Sequence, residues 1–359
     1  MFDVIGKRRI FYALSLALTI PGLVFILLTP FSDAGLQFTI DYTGGTRWEI
    51  KFTDPAVTPD QVEAVFVANG LDATAVRTST GFIEIKTEGV GLRPAPVPTA
   101  APSISPSASP VASASPAASP SPSPSPSAAP VGNTELPTDG KLAEMVTALE
   151  AKLGPIESQA SLTTIGPVVS SDLASQALVL IVVGSLGIVA WITYRFRDVK
   201  FGATALVSLL HDVIVVVGAF AILGTFFGVE VDALFVTAML TVIGFSVHDT
   251  IVVFDRIREN KARHVGEPFE AIVNHSVLQT FGRSVTTSLT VLITLLSLFL
   301  FGGAAISDFI LALLIGIIIG TYSSIFVASP LLVDWQIYDD RRHGRLAVNR
   351  APRTRRAAS

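Results

Sequence analysis

The sequence contains no cysteine and little charge for its 359 residues. Without cysteine there is no disulfide framework, no thiol chemistry and no metal site built on thiolates. The five histidines are scattered without the spacing of metal ligands, so we expect neither a metal nor a haem. Charged residues make up 15% and hydrophobic residues 50% of the chain, and the mean hydropathy is +0.59. This composition places the chain among membrane proteins.

The first apolar stretch, Ile10 to Leu28, follows a basic triplet at residues 7–9. It resembles a secretory signal, but it is longer than the usual apolar region and no small-residue cleavage site follows it. We therefore predict an uncleaved membrane helix over residues 10–29. Residues 1–9 then lie in the cytoplasm, in accordance with the positive-inside rule.

A polar segment, residues 30–171, is predicted to form an extracytoplasmic domain. It opens with a turn at Asp41, Gly44 and Gly45, where glycines permit a tight backbone path. The order of predicted elements, βαββαβ, indicates a ferredoxin-like α+β fold. These elements are strands at 46–52, 73–78, 82–87 and 156–165 and helices at 59–69 and 139–153, the first of which begins with a capping box at Thr58. No catalytic group is apparent, so we predict a docking or substrate-contacting domain; the alternative is a spacer.

The domain is interrupted at residues 93–137 by a stretch composed almost wholly of proline, serine and alanine. Such a composition cannot bury enough apolar surface to offset the loss of chain entropy on folding. We predict a solvated insertion without fixed structure, extended by its prolines.

Residues 172–333 are predicted to form a five-helix membrane region, followed by a basic cytoplasmic tail at 334–359. The five spans are 173–194, 201–227, 233–254, 278–301 and 309–333. Lysine and arginine cluster in alternate loops and in the tail, whereas the loops at 227–232 and 301–308 contain neither. With six spans in all, both termini are predicted to be cytoplasmic. The predicted fold class is a polytopic α-helical membrane protein with an extracytoplasmic α+β domain.

The fourth span contains a carboxylate, Asp249, next to His248 and within an apolar run that continues to Phe254. A carboxylate at membrane depth costs roughly 2.5–3.5 kcal/mol on insertion scales, so we interpret it as functional. The alternative is that Asp249 lies beyond the helix end in water. The third span carries a similar pair, His211 and Asp212, near the middle of the bilayer. The two acids therefore lie on neighbouring helices, and either could take part in a proton path.

The fifth span contains Arg283, for which we predict a pairing with Asp249. An arginine stays protonated, so it lowers the proton affinity of a carboxylate that is close to it. When the two groups move apart, the proton affinity of the carboxylate rises again. A carboxylate whose proton affinity depends on helix position can carry protons. The alternative is that Arg283 extends to the membrane interface.

The sixth span carries Gly316, Gly320 and Ser324 at intervals of four residues. This row of small residues favours close helix packing, either within this chain or with a partner. Pro330 is predicted to end or kink the same helix.

Five segments together resemble the SecD/SecF protein-export family, whose members are related to the RND transporters. They are GLQFTIDYTGGT, LLHDV, VIGFSVHDTIVVFDRIREN, FGRSVTTS and LIGIIIGTYSSIFVASP. The fourth-span motif is the most specific of them, with its charged exit at Asp255, Arg256, Arg258, Glu259 and Asn260. The resemblance covers almost the whole chain except the insertion and the basic tail.

The resemblance implies a six-span unit that pairs with SecD in a pseudo-symmetric twelve-span bundle. It also implies that the unit works beside the SecYEG channel, with YajC and SecA-driven preproteins as further candidate partners. The proton-path aspartate of the family falls on Asp249 and its partner arginine on Arg283. Asp41, Gly44 and Gly45 match the signature turn of the family's extracytoplasmic domain.

The leading hypothesis is a subunit that uses the proton-motive force to assist late stages of preprotein translocation across the bacterial cytoplasmic membrane. Such a protein is not an enzyme and needs no cofactor, its coupling ion being H⁺, although residue types alone do not exclude Na⁺. Nucleic acid is not an expected partner. One alternative is half of a proton-coupled, small-molecule exporter of the RND type. Another is a structural scaffold, which would not depend on Asp249.

Overall fold

The computed structural model describes residues 3–32, 34–78, 81–87, 136–138, 140–303 and 306–342. It divides into two compact units, one formed by residues 1–42 with 172–359 and the other by residues 43–171. Residues 93–135 of the predicted insertion and residues 343–359 of the basic tail lie outside the described residues.

The first unit is helical, and within its described residues six helical segments are long and apolar enough to cross a membrane. Their bounds are α1, Arg8–Leu28; α5, Pro167–Phe196; α6, Val199–Phe227; α7, Ala233–Arg263; α8, Phe269–Phe301; and α9 with its continuation, Ser307–Arg342. Two short strands, β1 (Gln37–Phe38) and β6 (Glu230–Val231), pair in parallel. The six predicted spans are confirmed as helices, in the predicted order.

Three of these helices extend well beyond their predicted apolar spans: the sixth runs to Arg342 rather than to residue 333, and α7 and α8 are longer at the loop between them. The prediction ended the fourth span at residue 254, but α7 continues through the charged exit to Arg263. Likewise, α8 begins at Phe269 rather than at residue 278. The extensions are amphipathic, and they pack together through Ile257 of α7 and Val273 of α8, which are both fully buried. A span estimated from hydropathy alone stops where the charged face begins, although the helix does not.

The sixth helix changes form in its second half. It runs as α9 from Ser307 to Ser323, makes a π-helical turn over Ser324–Ala328 and continues as α10, Ser329–Arg342. The prediction that Pro330 ends or kinks it is wrong in its first part, because the helix passes through Pro330. Pro330 lies in the first turn of α10, directly after the π-helical turn. The wider π turn accommodates the proline ring, which in a regular α-helix would clash with the preceding turn and remove a backbone hydrogen bond.

Glycines mark the closest helix contacts of this unit. A Cβ atom placed on Gly22 of α1 would lie 2.8 Å from the Cα of Gly218 on α6. A Cβ atom on Gly320 of α9 would lie 2.9 Å from the Cβ of Ser246 on α7. The small-residue row of the sixth span is therefore an internal contact, which was one of the two alternatives.

The second unit is the predicted ferredoxin-like α+β domain. Its elements are β2, Gly45–Phe52; α3, Pro59–Ala68; β3, Ala73–Arg77; β4, Ile83–Thr87; α4, Gly140–Leu153; and β5, Ile156–Ile165. The sheet is antiparallel in the order β3-β4-β2-β5. One face of the sheet and the two helices bury a core that includes Trp48, Phe66, Ile85 and Leu149. The predicted capping box is present, since the Gln61 side chain accepts from the Thr58 amide at 3.0 Å.

Candidate functional site

Asp249 is buried in the middle of α7, with 3% of its surface exposed. It lies on the face of α7 that also buries Ser246, Thr250 and Val253, all of which pack into the helix unit. Because α7 continues for more than three turns beyond it, the alternative of a wet residue past the helix end is wrong. The neighbouring His248 is exposed.

Hydroxyls from two other helices lie close to the Asp249 carboxyl. Ser284 of α8 and Thr321 of α9 both lie close enough to interact with it electrostatically. Nevertheless, the Oδ2 atom of Asp249 and the Oγ atom of Ser284 are buried without a hydrogen-bond partner among the described residues. Thr321 bonds instead to Ser288 of α8 at 2.5 Å. Within the described residues Asp249 makes no ion pair, and a buried carboxyl that ionises without one is costly.

Asp212 on α6 has the opposite surroundings, because its carboxyl is fully supplied with partners. Only 1% of its surface is exposed. Its Oδ2 atom accepts hydrogen bonds from Ser246 of α7 at 2.5 Å and from Ser323 of α9 at 2.7 Å. Its Oδ1 atom lies 3.0 Å from Nδ1 of His211. Among the described residues the two predicted acids share no hydrogen-bond partner.

Arg283 of α8 is exposed, and within the described part of the chain it makes no ion pair with Asp249. The predicted pairing is therefore not seen in this arrangement of the helices. Arg283 instead begins an exposed polar stripe on one face of α8, since residues follow at about 100° each. The other members of the stripe are Thr286, Thr287, Thr290, Thr294 and Ser297. Each of these hydroxyls donates to a carbonyl of its own helix.

The charged exit of α7 joins it to two other helices. Asp255 accepts from Arg195 of α5 at 3.3 Å, and Arg258 donates to the carbonyl of the same residue at 3.4 Å. Arg256 pairs with Glu259 at 2.7 Å. Asn260 is buried and donates to Ser276 and Gln279 of α8, each at 2.9 Å. This part of the motif therefore fixes the ends of α5, α7 and α8 together.

The signature turn is a single helical turn, α2 (Ile40–Thr43), followed by two glycines. Gly44 and Gly45 both have positive φ, 73° and 128°, which explains why glycine is required at these two positions. The carboxylate of Asp41 accepts from the amide of Ala233 at 3.0 Å, so it caps the first turn of α7. Asp232 caps the same turn by accepting from Phe235 at 2.8 Å.

Two ionisable groups at this cap are perturbed by their partial burial. Desolvation raises the pKa of Asp232, and the negative charges of Asp41 and Asp308 raise it further. Desolvation, together with Asp232 and Asp41, raises the pKa of Tyr42 to about 12. The Tyr42 hydroxyl donates to the carbonyl of Asp232 at 3.0 Å. The turn is thus tied to the start of α7 by the side chains of Asp41 and Tyr42.

Replacing Asp41 by alanine is expected to destabilise the start of α7. The substitution removes an acceptor from the first turn and a negative charge from the positive end of the helix dipole, for a loss of about 1 kcal/mol. Hydrogen exchange at the amides of residues 233–235 should accelerate about fivefold. The control is Asp72→Ala, a change of an exposed aspartate in the other unit. Equal exchange in the two variants would show that Asp41 does not cap α7.

Sequence reasoning missed the hydroxyl groups of α9 that lie beside the two buried acids. Thr321 and Ser323 were not singled out, and neither was Ser246 of α7 as a hydrogen-bond donor. A signal was available, because hydroxyls in an apolar span must bond either to their own helix or to a neighbour. Their partners nevertheless depend on how the helices pack, which hydropathy does not specify.

Six membrane-length helices that enclose two buried carboxyls, together with a separate α+β domain, define a polytopic membrane protein with an ionisable core. Intramembrane acids of this kind commonly mark ion or proton pathways. The profile of the family described as "Protein export membrane protein SecD/SecF, C-terminal" matches residues 145–337. The chain belongs to the SecD/SecF family of protein-export membrane proteins.

Individual relatives match along nearly the whole chain. The protein translocase subunit SecF of Thermobaculum terrenum is 43% identical over 350 residues, which cover 94% of this chain and 95% of the relative. The protein translocase subunit SecDF of Bacillus subtilis is 31% identical over 93% of this chain, but only 38% of the relative is covered. The crystal structure of SecDF from Thermus thermophilus, a translocon-associated membrane protein, superposes with a TM-score of 0.70 at 27% identity. That match covers 94% of this chain and 39% of the SecDF chain.

Proposed function

We propose that this chain is the SecF subunit of a SecDF complex and uses the proton-motive force to assist late stages of preprotein translocation through SecYEG. The observation that carries the proposal is Asp249, a carboxyl buried between α7, α8 and α9, one oxygen of which has no donor in the described part of the chain. Such a group stabilises one helix arrangement when it is neutral and a different one when it is charged.

The coupling ion in this proposal is a proton that binds to Asp249. The movement of one proton through a potential of about 100 mV releases roughly 2.3 kcal/mol. Since about 1.4 kcal/mol changes an equilibrium constant tenfold, one proton biases a two-state helix arrangement by more than tenfold. Arg283 directly precedes Ser284, whose hydroxyl lies near Asp249. A rotation of α8 about its axis would therefore change the distance between the arginine and the acid.

The proposed orientation places both termini in the cytoplasm and the α+β domain outside. The end of the helix unit with the termini carries many of the basic side chains, including Arg8, which bonds to Glu270 and Asp334 at 3.2 and 2.9 Å. Lys200 pairs with Asp339 at the same end, at 2.7 Å. The positive-inside rule assigns this end to the cytoplasm of a bacterial cell.

A SecD chain is the proposed partner in the membrane. The polar stripe of α8, with Arg283 at one end, is exposed in this chain, although a membrane-spanning helix does not place such groups against lipid. This chain also aligns with only about two-fifths of the length of the SecDF relatives. The rest of each SecDF chain is long enough to form the other half of a helix bundle. We propose that the stripe faces SecD. An exporter half for small molecules and a passive scaffold are the competing functions.

The proposed function is tested in inverted membrane vesicles that contain the chain with SecD and SecYEG. Completion of a stalled translocation intermediate is followed with and without an uncoupler of the proton gradient. We expect the gradient to accelerate this step about tenfold in vesicles with the chain and not in vesicles without it. If acceleration by the gradient is the same without the chain, the chain is not the coupling subunit.

A further inference from the structure

Asp212 joins three helices through a single carboxyl group. It projects from α6, and its Oδ2 atom accepts at once from Ser246 of α7 and Ser323 of α9, at 2.5 and 2.7 Å. All three side chains are buried. Two donors on different helices that converge on one oxygen fix the positions of both helices relative to α6.

This junction lies where α7 and α9 are tightly packed. A Cβ atom on Gly320 would come within 2.9 Å of the Ser246 Cβ atom, so the two helices have no space for a further side chain there. A second bond lies one turn further along, between Thr250 of α7 and Ser324 of α9, at 2.9 Å. Ser324 also donates to the Ser246 carbonyl at 3.2 Å. The π-helical turn begins at this residue, immediately after the junction.

The same two helices, α7 and α9, carry Asp249 and one of the hydroxyls close to it. Asp249 follows Ser246 by three residues on α7, and Thr321 precedes Ser323 by two residues on α9. A displacement of either serine from Asp212 would therefore move the Asp249 carboxyl or one of its neighbours. Asp212 itself has three partners, His211 included, whereas the Oδ2 atom of Asp249 has none among the described residues.

We propose that Asp212 is a positioning residue that holds α7 and α9 against α6 and thereby sets the surroundings of Asp249, without itself carrying the transported proton. This inference rests on the proposed proton-coupled function. It separates two acids that the sequence placed in one proton path. The acid with saturated partners holds the helices, and the acid with an unpartnered oxygen exchanges the proton.

The chemistry of asparagine distinguishes the two roles. In Asp212→Asn the amide oxygen can accept from both serines, and the amide nitrogen can donate to Nδ1 of His211 once the imidazole carries its proton on Nε2. The junction is preserved, although a proton can no longer bind. In Asp212→Ala the acceptor is lost and the helices are no longer held. A positioning residue tolerates the first change and not the second; a proton carrier tolerates neither.

The test is gradient-driven translocation in vesicles that contain the complete complex, normalised to the amount of inserted chain. For Asp212→Asn we expect a rate within about threefold of the unaltered chain and the same response to the uncoupler. For Asp212→Ala we expect a loss of at least about tenfold, because two hydrogen bonds to a buried acceptor are removed. Asp249→Asn serves as the reference for a lost proton carrier. An Asp212→Asn variant as defective as Asp249→Asn would overturn the proposal.

A second variant tests the junction without changing the acid. The double substitution Ser246→Ala with Ser323→Ala should reproduce the loss seen in Asp212→Ala, and adding it to Asp212→Ala should cost nothing more, because all three groups form one unit. Full activity in the serine double variant would contradict the proposal.

If the unaltered complex shows no response to the gradient, the proposed function fails separately. Thermal unfolding then decides the positioning role, with midpoints lowered in Asp212→Ala and in the serine double variant but not in Asp212→Asn.

Discussion

Substitution of Asp249 by asparagine is expected to reduce translocation to the rate that the unaltered complex shows after its proton gradient is collapsed, a loss of about tenfold or more. Asparagine has nearly the size of aspartate but cannot exchange a proton. Because the Asp249 carboxyl is buried and one of its oxygens meets no donor within the described ranges, the neutral amide holds the helices in the arrangement that the protonated acid favours. An uncoupler should then have no further effect on the variant.

The matched control for this prediction is Asp255→Asn on the same helix. Asp255 is more than half exposed, and its ion pair with Arg195 lies at the helix end. Exposed pairs contribute about 0–1 kcal/mol, so this variant should keep its gradient dependence. Both variants should recover the partner subunit in equal amounts. A gradient-dependent rate in Asp249→Asn equal to that of the control would favour the scaffold function.

Bulky residues in the polar stripe of α8 are expected to separate the chain from SecD. In Thr290→Phe with Thr294→Phe, two aromatic rings replace exposed hydroxyls at the centre of the stripe. These rings disturb nothing inside this chain, but they would clash with a close-packed partner helix. We expect recovery of SecD with the tagged chain to fall at least about tenfold.

The control pair for the stripe lies on α5. Val182 and Leu186 are 48% and 58% exposed and apolar, as expected for a surface that faces lipid. Val182→Phe with Leu186→Phe should leave recovery of SecD unchanged. If instead the α5 pair releases SecD and the α8 pair does not, the interface has been assigned to the wrong helix.

Much of the fold follows from the sequence, because its elements are specified by local patterns. The apolar spans identify the membrane helices, and the capping box at Thr58 with the glycine at Gly70 delimits α3. Local patterns failed to predict helix ends where an amphipathic helix continues beyond its apolar span, as at the end of α7. They also failed at Pro330, where a π-helical turn lets the helix continue.

The candidate site was predicted less completely than the fold. Asp249 and Asp212 are recognisable because charge within an apolar span is costly, and the structure confirms that both are buried. Their partners were not predictable in the same way. Asp212 bonds to serines that are 34 and 111 residues away in the chain, and such contacts depend on helix packing. The pairing of Asp249 with Arg283 stays a prediction for another arrangement of the helices.

The most direct measurement of the proposed mechanism is the protonation of Asp249 itself. Infrared difference spectra of the complex in membranes, recorded between acidic and alkaline pH, report the carbonyl stretch of protonated carboxylic acids. We predict a band that is lost as the pH rises and that is absent from the Asp249→Asn variant but retained in Asp212→Asn. A spectrum that is identical in Asp249→Asn and in the unaltered chain would contradict the account, because the buried acid would then not exchange a proton.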